Sequence, residues 1–165
     1  MELKEFFLDQ LEREAVASRK VVERVPEGHN SWKPHEKSME LGRLASLVAT
    51  MPRWVGLMID DDELDLNAGN SFSTGPLGST AELISALDKG VAHARRSLQG
   101  TTEDHLMKHW RLKMGDQIFL DQPRYVAIGD GAFAHLAHHR GQLTVYLRLL
   151  EAKVPAIYGP SADEA

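Results

Sequence analysis

The sequence has 165 residues and a formal net charge of −5, with 42% hydrophobic and 26% charged residues. This length and composition predict a single folded domain over residues 1–165 and argue against long disordered stretches. Lys and Arg residues are scattered rather than gathered into a basic stripe, so nucleic acid is not an expected partner. No cysteine is present, which excludes disulfides and thiolate metal sites and limits any metal to nitrogen and oxygen ligands.

The N-terminal stretch MELKEFFLDQLERE carries charges within its first turns, which is not the pattern of a secretory signal peptide. No apolar run approaches the length of a membrane span. The expected location is therefore cytoplasmic, with no membrane partner.

The first helix is predicted over residues 3–25, where apolar residues repeat at spacings of three and four. A loop of about a dozen residues, VPEGHNSWKPHEKS, follows it and is longer than is usual between helices. We expect Trp32 to pin this loop to the core and the loop histidines His29 and His35 to be free.

A second helix is predicted over residues 39–60, with Ser38 as its N-cap and a local kink at Pro52. The acidic run DDDELDL comes next and lacks the glycine and spacing of a calcium-binding loop, so we interpret it as a solvated helix end. The segment NAGNSFSTGPLGS is predicted to be a mobile surface crossing.

A third helix is predicted from a cap at Ser79 or Thr80 to about Gly100, on the three-four repeat of its apolar residues. Beyond it, HWRLKMGDQIFL alternates apolar and polar residues on either side of Gly115 and Asp116, which predicts a short hairpin. The final residues, after Pro155 and Pro160, are expected to fray.

The last helix, predicted from about Pro123 to Lys153, holds three of the eight histidines. A period of about 100° per residue places His135 and His139 inward, with Arg140 on the opposite, solvated face and His138 about 60° to one side of His135. The residues assigned to the inward face are His135, Leu136, His139, Leu143, Tyr146 and Leu150.

Histidines at positions i and i+4 of a helix can bind one metal ion together, so His135 and His139 are candidate metal ligands. The alternative is a pair of neutral core histidines that bond to neighbouring groups. Two ligands do not complete a site, because zinc takes three protein ligands at a catalytic centre and four at a structural one.

The helices together predict an all-α protein: an antiparallel four-helix bundle with long inter-helix loops and a short hairpin before the last helix. The apolar arc of the last helix is wider than one bundle face needs, from Val145 and Leu149 on one flank to Leu147 on the other. This excess surface predicts a homodimer.

Three segments resemble, in this order, the DinB-like family of metalloenzymes: SWKPHEKSMELGRLASLVATMPRWV, WRLKMGDQIF and AHLAHHRGQLTVYLRLLEAKVPAIYGPSADE. The resemblance implies a bundle, commonly dimeric, in which three histidines hold a divalent metal, typically nickel or zinc. Two of the ligands match His135 and His139. The third ligand position, on the second helix, is occupied by Leu47, which cannot bind a metal.

The resemblance leaves three functional hypotheses open. The first is a non-enzymatic bundle, metal-free or weakly metal-binding, that binds a small molecule or dimerises; Leu47 favours it. The second is a divalent-metal-dependent transferase or hydrolase that uses a thiol cofactor and takes its third ligand from elsewhere. The third is metal-free catalysis with His135 or His139 as general base, but no nucleophile is visibly placed beside them.

Overall fold

Helices enclose one apolar core in the computed structural model, which describes residues 2–68 and 75–165. The elements are, in chain order, α1 (Leu3–Val22), α2 (Leu41–Thr50), α3 (Pro52–Asp60), β1 (Glu63–Asp65), α4 (Thr80–Gly100), α5 (Glu103–Met107), β2 (His109–Met114), β3 (Gln117–Pro123), α6 (Arg124–Val126), a π-helical segment (Ala127–Ala134) and α7 (His135–Leu149). Residues 69–74 of the predicted crossing over residues 67–79 lie outside the described residues. None of the helices within the described ranges is long and apolar enough to cross a bilayer.

Capping fixes the start of α4 as the sequence predicts. The Ser79 hydroxyl accepts a hydrogen bond from the Glu82 amide at 3.2 Å, and the Glu82 carboxylate accepts one from the Ser79 amide at 3.0 Å. This reciprocal pair satisfies two amides at the end of the helix that have no partner within the helix.

The predicted N-cap at Ser38 is wrong, because the second helix begins at Leu41 after Glu40. Its first free amides are satisfied by the preceding loop instead of by a capping side chain. The Leu41 amide donates to the Trp32 carbonyl at 2.8 Å, and the Gly42 amide donates to the Asn30 carbonyl at 2.9 Å. The Trp32 ring packs edge-on against Tyr146 with centroids 5.5 Å apart, so the prediction that Trp32 pins the loop is confirmed.

The predicted kink at Pro52 is confirmed as a local break between α2 and α3. Proline has no amide hydrogen to donate, so the hydrogen-bond ladder is interrupted there. Met51 nevertheless keeps helical dihedral angles, φ −59° and ψ −34°. Leu47 and Trp54, seven residues apart, therefore lie on the same face of the combined α2–α3 segment.

A small sheet makes the predicted all-α class wrong in part. The hairpin of β2 and β3 around Gly115 and Asp116 is confirmed, but β1 also pairs in parallel with β2, giving the order β1-β2-β3. Glu63, at the start of β1, pairs with Lys113 and Arg111 of β2. The acidic run is thus divided: its first residues are an exposed helix end, as predicted, and Glu63–Asp65 form a strand whose Glu63 pairs with cations.

Arg124 joins this sheet to the end of α3. Its side chain is 1% exposed and donates to the carbonyls of Met58 at 3.1 Å, His109 at 3.0 Å and Asp61 at 3.2 Å. Carbonyls at a helix C-terminus have no partner within the helix and carry partial negative charge. The buried guanidinium offsets that charge, and it also pairs with Asp62.

The C-terminal residues do not fray as the sequence suggests. Residues 151–165 fold back along α1 and α7, where Asp163 pairs with Arg148 and Glu164 pairs with Arg24. The Ser161 hydroxyl donates to the Val154 carbonyl at 2.7 Å and closes the segment on itself. Proline prevents a helix here, but ion pairs and side-chain hydrogen bonds hold the segment in place of one.

Candidate histidine site

The rotation of α7 differs from the predicted one. Its buried residues are Leu136, Arg140, Leu143, Tyr146 and Leu147. His135 is exposed and His139 is half-buried, so the prediction that both histidines point inward is wrong. The prediction that Arg140 lies on the solvated face is also wrong, because its side chain is 1% exposed.

Arg140 is buried because helix α1 supplies partners for its guanidinium. Glu14 pairs with it at 2.6 Å, the Ser18 hydroxyl accepts a hydrogen bond from it at 3.1 Å, and the Glu14 carbonyl accepts another at 3.3 Å. Tyr158 also bonds to it and lies beneath it, with the guanidinium 5.1 Å from the ring centroid. The helix therefore turns Arg140 toward α1 and moves the histidines to the flank of the buried face.

A π-helical segment leads into α7 and carries Ala127, Ile128, Ala132 and Phe133 into the core. Bonding from i to i+5 places more residues in each turn than an α-helix does, which breaks a uniform period of 3.6. The Phe133 ring stacks on Phe7 of α1 at 5.9 Å. The histidines begin the helix directly after this change of period, and π-bulges occur frequently at functional sites.

The two candidate ligands contact each other. The Nε2 atoms of His135 and His139 are 2.9 Å apart, and Nδ1 of His139 lies 2.8 Å from Oε1 of Gln142. An amide oxygen only accepts, so Nδ1 of His139 is the donor in that bond. In the neutral ring Nε2 of His139 then accepts, and Nε2 of His135 donates to it. The chain from His135 through His139 to Gln142 is therefore satisfied within the protein.

Aromatic contacts fix the position of the pair. The Trp54 ring, buried in α3, meets the His135 ring at 5.5 Å between centroids and an interplanar angle of 64°. His138 packs edge-on against His139 at 5.0 Å, on the exposed side. His138 is therefore a neighbour of the pair and shapes its electrostatic surroundings.

His139 is harder to protonate than a free histidine. Partial burial is the largest cause and lowers its pKa below the ordinary value of 6.5. The positive charges that His135 and His138 carry when protonated lower the pKa further, whereas the hydrogen bond to Gln142 raises it. The net direction is downward, which favours the neutral ring near pH 7.

The residues present do not complete a three-ligand metal site. Leu47, at the position that the family resemblance assigns to a third ligand, is half-buried against the core. Across residues 2–68 and 75–165, no group of three or more His, Cys, Asp or Glu side chains is arranged to hold a metal ion.

The geometry of the pair still permits chelation by two nitrogens. With metal–nitrogen bonds of about 2.0–2.1 Å, nitrogens 2.9 Å apart subtend roughly 90° at the metal. That angle suits an octahedral or square arrangement, whose remaining positions would be filled by water or by a ligand. A metal would have to replace the hydrogen bond between the rings.

Sequence reasoning missed two residues of this site. Gln142 follows His139 by three residues, a spacing at which helical side chains meet, and that spacing was a usable signal. Trp54 lies within the predicted second helix, and its contact with His135 depends on how α3 packs against the last helix. Nothing local in the sequence reveals that contact.

Comparisons with known proteins agree with this fold. The model of the DinB family matches residues 132–165. A DinB-like protein from Bacillus cereus superposes with a TM-score of 0.70 at 21% identity, covering 93% of this chain and 97% of that one. A DinB-like protein from Bacillus subtilis superposes with a TM-score of 0.67 at 19% identity, covering 90% and 94%. No curated protein sequence gives a significant match. The prediction of a DinB-like fold is confirmed.

The lowered pKa of His139 predicts a loss of stability on acidification. The unfolded chain, with a value near 6.5, binds the proton more readily than the folded chain. This contribution to the free energy of unfolding is complete above about pH 6.5 and is lost as the pH falls through the lower, folded-state value. An NMR titration of the His139 Cε1 proton, assigned with His139→Gln, measures it. A midpoint at or above 6.5 would contradict the prediction.

Proposed function

We propose that this DinB-like protein is a binding protein built on an incomplete metal centre, which holds a divalent metal weakly or not at all. The observation that carries the proposal is the direct hydrogen bond between Nε2 of His135 and Nε2 of His139. The bond uses the nitrogens that would bind a metal. With Gln142 bound to the other nitrogen of His139, the site is satisfied without an ion.

Leu47 supports the same proposal. Two imidazoles leave most coordination positions of a metal ion to water, and an ion held this way dissociates readily from the protein. An isobutyl group at the position that the resemblance assigns to the third ligand adds no ligand. A family member with this replacement keeps the fold and the histidines while losing metal affinity.

The mixture of groups at the site suits a small-molecule ligand. His135 is exposed, and its ring packs on Trp54. Sites of this kind combine apolar walls with a few polar groups that orient the ligand. A ligand could stack on the exposed imidazole and exchange hydrogen bonds with the ring nitrogens.

The alternative, a metal-dependent transferase or hydrolase that uses a thiol cofactor, rests on the spacing of the two nitrogens. The distance of 2.9 Å allows both to bind one ion, and the exposed side leaves positions open. A third ligand from a second copy or from solvent would be needed. The calorimetry described below separates this alternative from the main proposal.

We propose in addition that two copies associate through the outer face of α7. Val145 and Leu149 lie one turn apart there and are 57% and 54% exposed. Leu147, which the sequence placed in the same apolar arc, is fully buried in the core, so the available surface is narrower than predicted.

Restoring the missing ligand should restore metal affinity. Leu47→His is expected to raise the affinity for nickel or zinc at least about a hundredfold, because it adds a third imidazole on the face that carries Trp54. Calorimetric titration of the wild type, Leu47→His and Leu47→Gln measures this, with Leu47→Gln as the control for polarity without a strong ligand. His139→Ala in the Leu47→His background should abolish the gain.

Tight, stoichiometric binding by the wild-type protein, lost in His139→Ala, would refute the main proposal and support the metalloenzyme. Equal affinities in Leu47→His and the wild type would show that Leu47 does not lie at the third-ligand position.

The α7 surface is tested by sedimentation velocity. Val145→Glu places a charge on the proposed interface and should convert dimers to monomers, because a buried unpaired carboxylate is costly. Ile118→Glu, at a hairpin position of similar exposure, 52%, should leave the sedimentation coefficient unchanged. A monomeric wild type would refute the proposed association.

A further inference from the structure

A groove between helix α1 and the C-terminal segment has no role in the function proposed above. Its volume is about 520 Å³, within the range of about 300–1,000 Å³ typical of small-molecule sites. Its walls are mostly apolar and are formed chiefly by Val16, Ala17, Lys20, Ala156, Ile157 and Tyr158. Val16 is 59% exposed and places an apolar side chain on the solvent side of α1.

The wall formed by the C-terminal segment is held in place by hydrogen bonds within the protein and needs no ligand to order it. The Lys20 ammonium donates to the Ala156 carbonyl at 3.3 Å, and the Ala156 amide donates to the Glu164 carboxylate at 3.1 Å. The Tyr158 hydroxyl bonds to the Glu14 carboxylate at 2.9 Å. A groove whose walls are already ordered loses less entropy when a ligand binds.

The acids of the groove are already neutralised. Glu12 accepts two hydrogen bonds from Arg95, at 2.7 and 2.9 Å, and Glu14 is paired with the buried Arg140. Arg13, by contrast, is exposed and has no ion-pair partner among the described residues. The free charge at the rim is therefore positive.

Lys20 does not change the sign of the free charge at the rim of the groove, which stays positive. It lies close enough to Glu164 to help lower the pKa of that carboxyl, but the hydrogen bond from Arg24 is the largest cause of that shift. Glu164 is already balanced by Arg24. The Lys20 ammonium adds a second positive charge to the same end of the groove.

We infer that this groove binds an anionic amphipathic small molecule: an aliphatic or aromatic body, lying against Val16 and Ile157, with one carboxylate directed to Arg13 or Lys20. The apolar walls favour the apolar body of the ligand, and the positive charges of Arg13 and Lys20 favour an anionic head group. The site is independent of the histidine pair. Arg140 and His139 are consecutive in α7, yet Arg140 faces α1, whereas His139 contacts His135 and Gln142.

Matched eight-carbon probes test the inference by calorimetry on the full chain: octanoate, 1-octanol and octylammonium. Octanoate should bind most tightly and octylammonium least. Val16→Glu should weaken octanoate binding at least about tenfold, because it places a carboxylate in the apolar wall. Arg13→Gln should weaken octanoate by up to about fivefold, the size expected for an exposed ion pair, and leave octanol unchanged.

Ile118→Glu serves as the control, because it adds the same charge at a similarly exposed apolar position outside the groove and should leave octanoate binding unchanged. All variants lie at exposed positions and should fold as the wild type does.

Equal binding of octanoate and octylammonium, or octanoate binding unaffected by Val16→Glu, would overturn the inference. Absence of octanoate binding, with a self-association that Val16→Glu abolishes, would assign the groove to a second copy and overturn it as well.

Discussion

Arg140 lies in the interior between α7, α1 and the C-terminal segment, with Glu14, Ser18 and Tyr158 around its guanidinium. Removing one member of a buried ion pair typically costs about 3–5 kcal/mol, because the other charge is left without a partner. Rotating α7 by one residue would expose Arg140 and leave the buried Glu14 carboxylate without its ion-pair partner. This pair therefore fixes the rotation of the helix that carries the histidines.

The position of the histidine site follows from that rotation. With Arg140 toward α1, His135 and His139 lie at the edge of the buried face, against Trp54, where solvent reaches them. The partial burial of His139 lowers its pKa and keeps the ring neutral, so it can accept the hydrogen bond from His135. An internally bonded pair that is open to solvent on one side is the basis of the proposed binding function.

The sequence predicts the helices, the break at Pro52 and the hairpin because each depends on local signals: apolar spacing, a missing amide hydrogen, a turn at Gly115 and Asp116. Prediction from the sequence fails where contacts between residues distant in the chain determine the structure. Arg140 looks solvated unless Glu14, 126 residues earlier, is known to be its neighbour. Strand β1 has three residues and forms where β2 lies alongside it, with Lys113 and Arg111 of β2 as partners of Glu63. The C-terminal segment is held by ion pairs with Arg148 of α7 and with Arg24, which precedes Glu164 by 140 residues.

Leu47 is the residue on which the functional account depends most, and its identity is readable from the sequence. The structure adds that Leu47 and Trp54 lie seven residues apart in the α2–α3 segment and that Trp54 contacts His135. Whether the pair holds an ion is settled most directly by plasma mass spectrometry of dialysed, tag-free protein from medium containing zinc and nickel. The account predicts metal far below one equivalent, unchanged in His139→Ala. About one equivalent in the wild type, lost in that variant, would contradict it.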